Sequence, residues 1–400
     1  MRALKKTLNV LSISPVLHHS ACRRAAFFLP KDLGSCSPLP NAVASKRMST
    51  SSTPSHSPSP FTPRSTPTFS YRIGASFSAK GRRFDPKTDV FTFNNQTQIT
   101  SEQDVFTGRP NSGQDAFFVS KAGNSSNVAF GVADGVGGWA DQGIDSADFS
   151  HGLCQGMARI ARELHSPDKK DLWPQYILGN AYQEILREGK IGGGGSTACL
   201  ATGDEDGNLK VANLGDSGFI QFRLNAVHHF SNPQTHAFNT PFQLSVIPPK
   251  ILALSRLFGG KQLSDSPEDS NDTSHEVRHG DVLMFATDGV WDNLSTRELL
   301  KIVSRQMTGF HAWETGEKGT TVSEMIHDLT QDGGIPKQHE NNLQTLLAVN
   351  VVGEAKAVSM NTKRDGPFAK EVQKFYPHEN YHGGKVDDIC VIVAIVVRNE

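Results

Sequence analysis

Two apolar runs of strand length, each ending at an Asp-Gly pair, most constrain how this chain can fold. Residues 128–133 lead to Asp134, and residues 282–287 lead to Asp288. Apolar runs this short predict buried strands, so each carboxylate is expected at a strand end. The glycine after Asp134 lets its own carbonyl approach a cation without a Cβ in the way. An Asp-Gly after a strand is usually only a turn, and taken alone this stretch favours a turn over a metal site.

Further aspartates stand beside other strand-length runs. Asp387 and Asp388 directly precede the apolar run 389–397, Asp115 precedes two phenylalanines, and Asp216 interrupts another pair of strands. If the strands stack in two sheets, these acids can converge at one edge. A cluster of aspartates without histidine or cysteine favours Mg²⁺ or Mn²⁺ over zinc, because hard cations take oxygen ligands. Two such ions about 3.5–4 Å apart would share a carboxylate and activate a bridging water, which is the apparatus of phosphoester hydrolysis.

The order of the residue patterns predicts antiparallel sheets with helices outside them, because strand runs alternate with paired helices. Strands are predicted at 116–120, 127–133, 195–202, 209–213, 218–223, 281–287 and 389–397. Helices are predicted at 146–164, 172–188 and 295–306. The last of these begins with Ser295 as N-cap and Glu298 three places on, which is the pattern of a capping box.

The first 48 residues differ in composition from the rest of the chain. They carry eight basic residues against one acid, Asp32, with scattered leucine, serine and alanine. They lack the apolar core and cleavage site of a secretory signal, and the composition fits a mitochondrial transit peptide. The alternatives are a basic tail that stays on the protein or translation that starts at Met48. Residues 49–68 are rich in serine, threonine and proline, which predicts a disordered linker.

A globular domain is expected from residue 69 to residue 398. Two polar, Gly-rich or charged stretches, near 248–271 and 308–342, are expected to be surface insertions. No apolar run approaches the ~20 residues of a membrane span, and with a net charge of −1 no nucleic-acid partner is expected. Cys154, Cys199 and Cys390 stand singly in helix or strand patterns and are expected to be small buried hydrophobes in a reducing compartment.

A series of motifs runs through the globular region in a fixed order. They are GQDAFF, VADGVGGW, GGSTA, NLGDSG, FNTPFQL, LSDSPED, ATDGVWDN and GGKVDDI. With these motifs the chain resembles the metal-dependent protein phosphatases of type 2C, and within them the mitochondrial branch, from about residue 70 to 398. The resemblance implies an α+β fold, a four-layer α-β-β-α sandwich of two antiparallel sheets flanked by helices.

The resemblance also implies a site for two ions, Mn²⁺ or Mg²⁺. Asp134 would bridge both ions, and the backbone carbonyl of Gly135 would bind the second. Asp288 and Asp387 would complete the shell of the first. Asp387 is preferred to its neighbour Asp388 because in the family's final motif the ligand acid stands two places before the apolar residue that opens the strand.

Other residues are assigned less directly by the same resemblance. Arg109, one place off the family spacing, and Arg72 are the two candidates for binding the phosphate. Asp216 is expected to be a structural hydrogen-bond partner rather than a ligand. The chain departs from many relatives at Gln114, where an acid would bind the second ion, and from the best-known members at Val136, where a histidine would act as general acid.

The function implied is hydrolysis of phosphoserine and phosphothreonine in proteins of the mitochondrial matrix, by a hydroxide that the two metals activate. The expected partners are phosphorylated proteins, and the expected state is a monomer. Gln114 and Val136 motivate an alternative, a catalytically weak pseudophosphatase that acts as a phosphoprotein-binding module. A small-molecule phosphatase is a third interpretation.

Overall fold

The structure is a computed structural model, and it describes residues 68–93, 110–123, 125–164, 173–258, 263–335 and 342–399. These residues belong to one compact unit, Pro63–Glu400. The predicted transit peptide and all but the last residue of the predicted linker lie outside the described residues. None of the helices within the described ranges combines the length and the apolar character needed to cross a bilayer.

The described residues form seventeen strands, eight α-helices and two short 3₁₀-helices, Gly137–Gln142 and Pro267–Asp269. The strands are β1 (Phe69–Ser78), β2 (Val90–Phe93), β3 (Asp115–Lys121), β4 (Val128–Asp134), β5 (Gly194–Ser196), β6 (Ala198–Gly203), β7 (Asn208–Leu214), β8 (Gly218–Arg223), β9 (Ala226–Phe230), β10 (Thr235–Ala237), β11 (Thr240–Pro241), β12 (Leu244–Val246), β13 (Asn271–Glu276), β14 (Val282–Ala286), β15 (Trp313–Gly316), β16 (Gly319–Val322) and β17 (Ile389–Arg398). The helices are α1 (Ala147–Glu163), α2 (Pro174–Glu188), α3 (Pro249–Phe258), α4 (Asp288–Trp291), α5 (Thr296–Gly309), α6 (Ile326–Leu329), α7 (Leu343–Ser359) and α8 (Pro367–Phe375).

Two antiparallel sheets form the centre of the molecule. Sheet A has the strand order β2-β1-β17-β14-β8-β9, and sheet B has the order β13-β7-β6-β4-β3. Three short strand pairs, β5 with β12, β10 with β11 and β15 with β16, lie outside the two large sheets. The prediction of antiparallel sheets is therefore confirmed.

Three apolar layers hold the elements together. The middle layer lies between the sheets, where Phe130 of sheet B meets Phe285 of sheet A edge to face, with ring centroids 5.1 Å apart. On the outer face of sheet A, residues such as Leu347 of α7 pack against Val393 of β17 and its neighbours. On the outer face of sheet B, Phe149 of α1 and Ile177 of α2 form the third layer. This is the four-layer α-β-β-α sandwich that the resemblance implies.

Strand β17 shows why the last apolar run has no polar alternation. Ile392 and Val396 face the middle layer, whereas Val393 and Val397 face the helices. A strand that is covered on both faces needs apolar residues at every position. The same strand lies between β1 and β14, so it anchors the centre of sheet A.

The stretch 308–342, expected on the surface, also reaches the core. The Trp313 side chain is 1% exposed, and its indole N–H donates to the carbonyl of Gly280 at 3.0 Å. Ile326 and Leu329 of α6 are buried in the same apolar layer as Trp313. These buried apolar residues are few, so the average composition of the stretch is polar and does not reveal them.

Candidate metal centre and active site

Five aspartates from both sheets lie together at one edge of the sandwich, and we call them the acidic cluster. Sheet B supplies Asp134, the last residue of β4, and Asp216, which follows β7. Sheet A supplies Asp288 after β14 and Asp387 before β17, and Asp292 follows one helical turn after Asp288. Strands β14 and β17 pair antiparallel, so the end of one lies beside the start of the other. Each carboxylate in the acidic cluster is subject to the charge of at least one other member.

The ammonium of Lys385 lies among the carboxylates that sheet A supplies. Its Nζ atom is 2.6 Å from Asp288 Oδ2, 2.6 Å from Asp292 Oδ2 and 3.1 Å from Asp387 Oδ2. A second lysine, Lys80, has its Nζ atom 3.6 Å from Asp387 Oδ1, but its side chain is 59% exposed. In the described part of the chain no three His, Cys, Asp or Glu side chains are placed, as they stand, to bind one ion together. The sheet A carboxylates are arranged around an ammonium.

Burial and mutual repulsion raise the pKa of several members of the acidic cluster. Burial, followed by the charge of Asp288, raises the pKa of Asp134 well above its usual value. The same two causes raise the pKa of Asp292 strongly and that of Asp216 to about 7. Burial also acts to raise the pKa of Asp288, but the Lys385 ammonium and hydrogen bonds outweigh it, and that pKa lies below its usual value. One ammonium therefore leaves the acidic cluster short of positive charge.

Two features of the acidic cluster fit a hard divalent cation. Its side-chain donors are all carboxylate oxygens, the ligand type that Mg²⁺ and Mn²⁺ prefer. The Oδ1 atom of Asp216 is buried and has no hydrogen-bond partner, whereas buried polar atoms are normally paired. The expected role of Asp216 as a structural hydrogen-bond partner does not hold for this oxygen, which is free to bind a cation.

The predicted ligand Asp387 and its neighbour Asp388 face different surroundings. Asp387 contacts Lys385 and belongs to the acidic cluster. The carboxylate of Asp388 accepts hydrogen bonds from the backbone N–H of Lys80 and from that of Gln114, the latter at 2.9 Å. Asp388 thereby ties two loops to the start of β17. Asp387 therefore belongs to the acidic cluster, whereas the carboxylate of Asp388 is occupied by backbone N–H groups.

A hydrogen bond links the two sheets next to the acidic cluster. Asp115 is the first residue of β3 and stands opposite Asp134 in the register of sheet B. Its Oδ2 atom accepts a hydrogen bond from the hydroxyl of Thr287 at 2.6 Å, and the Thr287 oxygen accepts one from the backbone N–H of Cys390 at 3.0 Å. Because Thr287 immediately precedes Asp288, this chain of bonds sets the distance between the two carboxylates of the two sheets.

The turn after β4 requires glycine at position 135. A Cβ there would lie 2.8 Å from the Gln114 carbonyl oxygen and 2.9 Å from that of Ser146. The Gly135 N–H donates to the same Gln114 oxygen at 3.0 Å. The amide of Gln114 lies beside the turn, since a Cβ on Gly137 would be 3.6 Å from its Oε1 atom. The residue that departs from the family pattern is therefore next to the carbonyl predicted to bind the second ion.

Of the two predicted phosphate-binding arginines the structure describes only Arg72, and Arg72 does not lie at the acidic cluster. Arg109 lies outside the described residues. Arg72 is on β1, where Tyr71 and Ile73 on either side of it face the middle layer, so its side chain points to the helix-covered face of sheet A. It lies six positions before Ser78, the end of β1 nearest the acidic cluster, which is about 20 Å along a strand. Burial lowers the pKa of Arg72, and the charge that acts on it is that of Asp332.

Two residues of the site were not assigned a role by sequence reasoning. Asp292 and Lys385 both stand inside motifs that carry the resemblance, ATDGVWDN and GGKVDDI. The spacing of four between Asp288 and Asp292 would place both on one side of a helix. No comparable local signal marks Lys385, because two of its three carboxylate partners, Asp288 and Asp292, come from a segment more than ninety positions earlier in the chain.

Comparison with known proteins gives several relatives. No protein-family model matches the chain. Protein phosphatase 2C homolog 7, mitochondrial, of Saccharomyces cerevisiae is 33% identical over 290 residues, which are 72% of this chain and 75% of that protein. Protein phosphatase PTC7 homolog of Homo sapiens is 37% identical over 287 residues, which are 72% of this chain and 80% of that protein. The solved structure of the photosystem II phosphatase PBCP aligns with a TM-score of 0.54 and 22% identity, over 81% of this chain and 98% of that one.

The fold, which the solved structure shares, and these relatives together define a metal-dependent protein phosphatase that acts on phosphorylated serine and threonine. The chain belongs to the protein phosphatase 2C family.

Proposed function

We propose that the protein hydrolyses phosphoserine and phosphothreonine in mitochondrial proteins and that it does so with two Mn²⁺ or Mg²⁺ ions. The observation that carries the proposal is the acidic cluster, in which five largely buried carboxylates face one buried ammonium. Strong perturbation of titratable groups in a shared site is typical of catalytic centres.

The residues that would hold the ions are those implied by the family resemblance. Asp134 would contact both ions, the Gly135 carbonyl the second, and Asp288 and Asp387 the first. When bound, the ions supply Lewis acidity that activates water and neutralises charge on the phosphoryl group. The chain itself contributes the fixed positions of the carboxylates, which the hydrogen bond between Thr287 and Asp115 ties together across the sheets.

The loop after β4 contributes position rather than proton transfer. The backbone N–H of Val136 donates to the carbonyl of Gly195 at 2.9 Å, and its own carbonyl accepts from the hydroxyl of Ser146 at 2.7 Å. The valine side chain offers no proton to a leaving alkoxide. A protein general acid typically contributes 10²- to 10⁴-fold, so in this chain such a contribution must come from a group other than residue 136.

Location in mitochondria rests on two independent observations. The yeast relative carries the word mitochondrial in its name. The first 48 residues of this chain are basic and nearly free of acids, as in a transit peptide. We place the phosphatase in the matrix, with phosphorylated matrix proteins as substrates and a monomer as the working state.

The catalytic proposal is tested by replacing the residue assigned to both ions. Full-length Asp134→Asn should show no measurable turnover of a phosphothreonine peptide at any Mn²⁺ concentration while its circular dichroism spectrum stays that of a folded protein. The matched control is Asp141→Asn, which removes a carboxylate from the exposed turn just beyond the site and should keep wild-type turnover. Substantial activity in Asp134→Asn would contradict the assignment.

The location is tested separately. A fusion of residues 1–55 to a fluorescent reporter should enter mitochondria and be processed to a shorter product. A matched fusion with neutral residues in place of Arg23, Arg24, Lys46 and Arg47 should import less efficiently. A reporter that stays diffuse in the cytosol would contradict the mitochondrial proposal and leave the catalytic one unaffected.

A further inference from the structure

The position of Lys385 is the feature of the site that the proposed function does not use. Its Nζ atom is within 3.1 Å of one oxygen on each of Asp288, Asp292 and Asp387. The lysine side chain is only 16% exposed. It therefore differs from an ordinary surface ion pair, which is hydrated and contributes little.

Two of these carboxylates are the same ones that the proposed first ion needs. Asp288 and Asp387 are the first-ion ligands in the proposed function, and both face the ammonium of Lys385. A divalent cation and an ammonium that share the same oxygens repel each other strongly at such distances. The ammonium of Lys385 and a first ion would therefore compete for the same carboxylate oxygens.

Two groups other than the carboxylates also lie beside the ammonium. The ring centroid of Phe368 on α8 is 5.0 Å from the Lys385 Nζ atom, within the range of a cation–π contact. The side-chain oxygen of Asn239 is 3.5 Å from the same atom. Lysine carries its charge on a flexible stem, so rotation toward these groups would free the carboxylates without moving the backbone.

We propose that Lys385 is a resident counter-cation: it holds Asp288, Asp292 and Asp387 together in the metal-free protein and has to move aside before a divalent ion binds there. The inference rests on the proposed metal site. It gives the metal-free site a way to limit repulsion among its carboxylates, and it makes metal binding a competition between an ion and a side chain of the protein.

The proposal predicts that removal of the ammonium strengthens metal binding. Mn²⁺ binding to metal-free, full-length protein is measured by titration calorimetry, without substrate. Lys385→Met should bind the tighter Mn²⁺ ion at least ~10-fold more strongly than wild type, the lower end of the 10- to 100-fold range typical of changes around a metal's ligands. Lys385→Arg, which keeps the charge, should bind no more tightly than wild type.

Lys80→Met is the matched control, because Lys80 also lies beside Asp387 but has a 59% exposed side chain. It removes the same charge from a solvated position and should leave the Mn²⁺ affinity nearly unchanged. Equal strengthening by Lys80→Met and Lys385→Met would reduce the effect to general electrostatics and overturn the proposal. Weaker binding by Lys385→Met would also overturn it, since Lys385 would then support the bound ion.

A second measurement uses the wild-type protein and does not depend on how a variant folds. Brief acetylation with an N-hydroxysuccinimide ester, followed by mass spectrometry, reports how accessible each lysine is. Lys385 should be protected in the metal-free protein and become clearly more reactive when Mn²⁺ is added, relative to Lys374, whose side chain is 68% exposed. Unchanged protection of Lys385 in protein that calorimetry shows to be loaded with Mn²⁺ would overturn the proposal.

The calorimetry distinguishes an error in the proposed metal site from an error in the role of Lys385. If wild-type protein binds no Mn²⁺ at all, the proposed metal site is wrong, and the role of Lys385 falls with it. If wild type binds Mn²⁺ and Lys385→Met does not bind it more tightly, only the role of Lys385 is wrong.

Discussion

Strand β14 has a buried aspartate near each end, and the two aspartates are paired in opposite ways. Asp281, just before the strand, is 0% exposed. Its oxygens accept hydrogen bonds from the Arg223 guanidinium at 2.7 Å each and from the side chain of Gln221 at 2.9 Å. The backbone N–H of Arg278 adds a bond at 2.8 Å. Both buried oxygens of Asp281 thus have donors, one on Oδ1 and three on Oδ2.

Asp288, just after the same strand, has a very different environment. It shares the single ammonium of Lys385 with Asp292 and Asp387 and also lies beside Asp134. A buried acid with a full set of donors stabilises a fold, whereas a group of acids short of positive charge is costly unless a cation joins them. The comparison separates a structural carboxylate from one that we propose to be functional, within eight residues of sequence.

The largest effect is expected from breaking the functional end of this strand. Asp288→Asn should lower turnover of a phosphothreonine peptide on the order of 10³-fold, the loss seen when a preorganised electrostatic group is removed. Asp281→Asn, the matched change at the other end, should keep its turnover per folded molecule. Near wild-type turnover in Asp288→Asn would remove this residue from the site.

The structural end of the strand should respond in stability. Arg223→Met leaves Asp281 buried without its ion pair, which typically costs about 3–5 kcal/mol of unfolding free energy. Urea denaturation measures the loss. The double variant Arg223→Met with Asp281→Leu should recover much of it, because two apolar side chains need no counter-charge. A single-variant cost near zero would show that Asp281 is not held by this pair.

Asp387 and Asp388, the two residues before β17, are expected to differ in the same way, one in metal binding and the other in stability. Asp387→Asn should weaken Mn²⁺ binding by about 10- to 100-fold with little change in stability. Asp388→Asn should instead lower stability by roughly 1–3 kcal/mol, because its bonds to the backbone N–H groups of Lys80 and Gln114 are weakened. Calorimetry and urea denaturation on both variants decide the matter. The opposite pattern would mean that the ligand assignment is shifted by one residue.

The smallest effect concerns His275 on β13, a partly buried titratable group outside the acidic cluster. Burial, helped by the charge of His229, lowers its pKa from 6.5 to about 4. Between those pH values the unfolded chain binds more protons than the folded one, so this histidine's contribution to stability is present above pH 6.5 and is lost as pH falls toward 4. His275→Phe should therefore reduce the drop in Tm from pH 7 to pH 5 by about 2–4 °C. Exposed His378, changed to Gln, is the control and should leave that drop unchanged.

Much of the sandwich was predictable because its signals are local. The strand over Val128–Asp134 and the helix over Thr296–Gly309 follow from apolar runs and from the Ser295 cap, whose oxygen accepts a bond from the Glu298 N–H. Helix α7 (Leu343–Ser359) was not predicted from the residue patterns. It is buried on most sides between sheet A and its neighbours, and a helix without a solvated face has no polar stripe to reveal its period.

The features of the site can also be divided into those that local sequence patterns predict and those that they do not. The sequence by itself determined that Asp134 and Asp288 stand at strand ends beside glycines, because a strand and a turn are properties of a few adjacent residues. Only the tertiary structure decided that Asp281 receives the donors of Arg223, that Arg72 lies away from the acidic cluster, and that the ammonium of Lys385 lies among three carboxylates. Most of these contacts join residues far apart in the chain, and the energy of a buried charge depends on the groups that folding places around it.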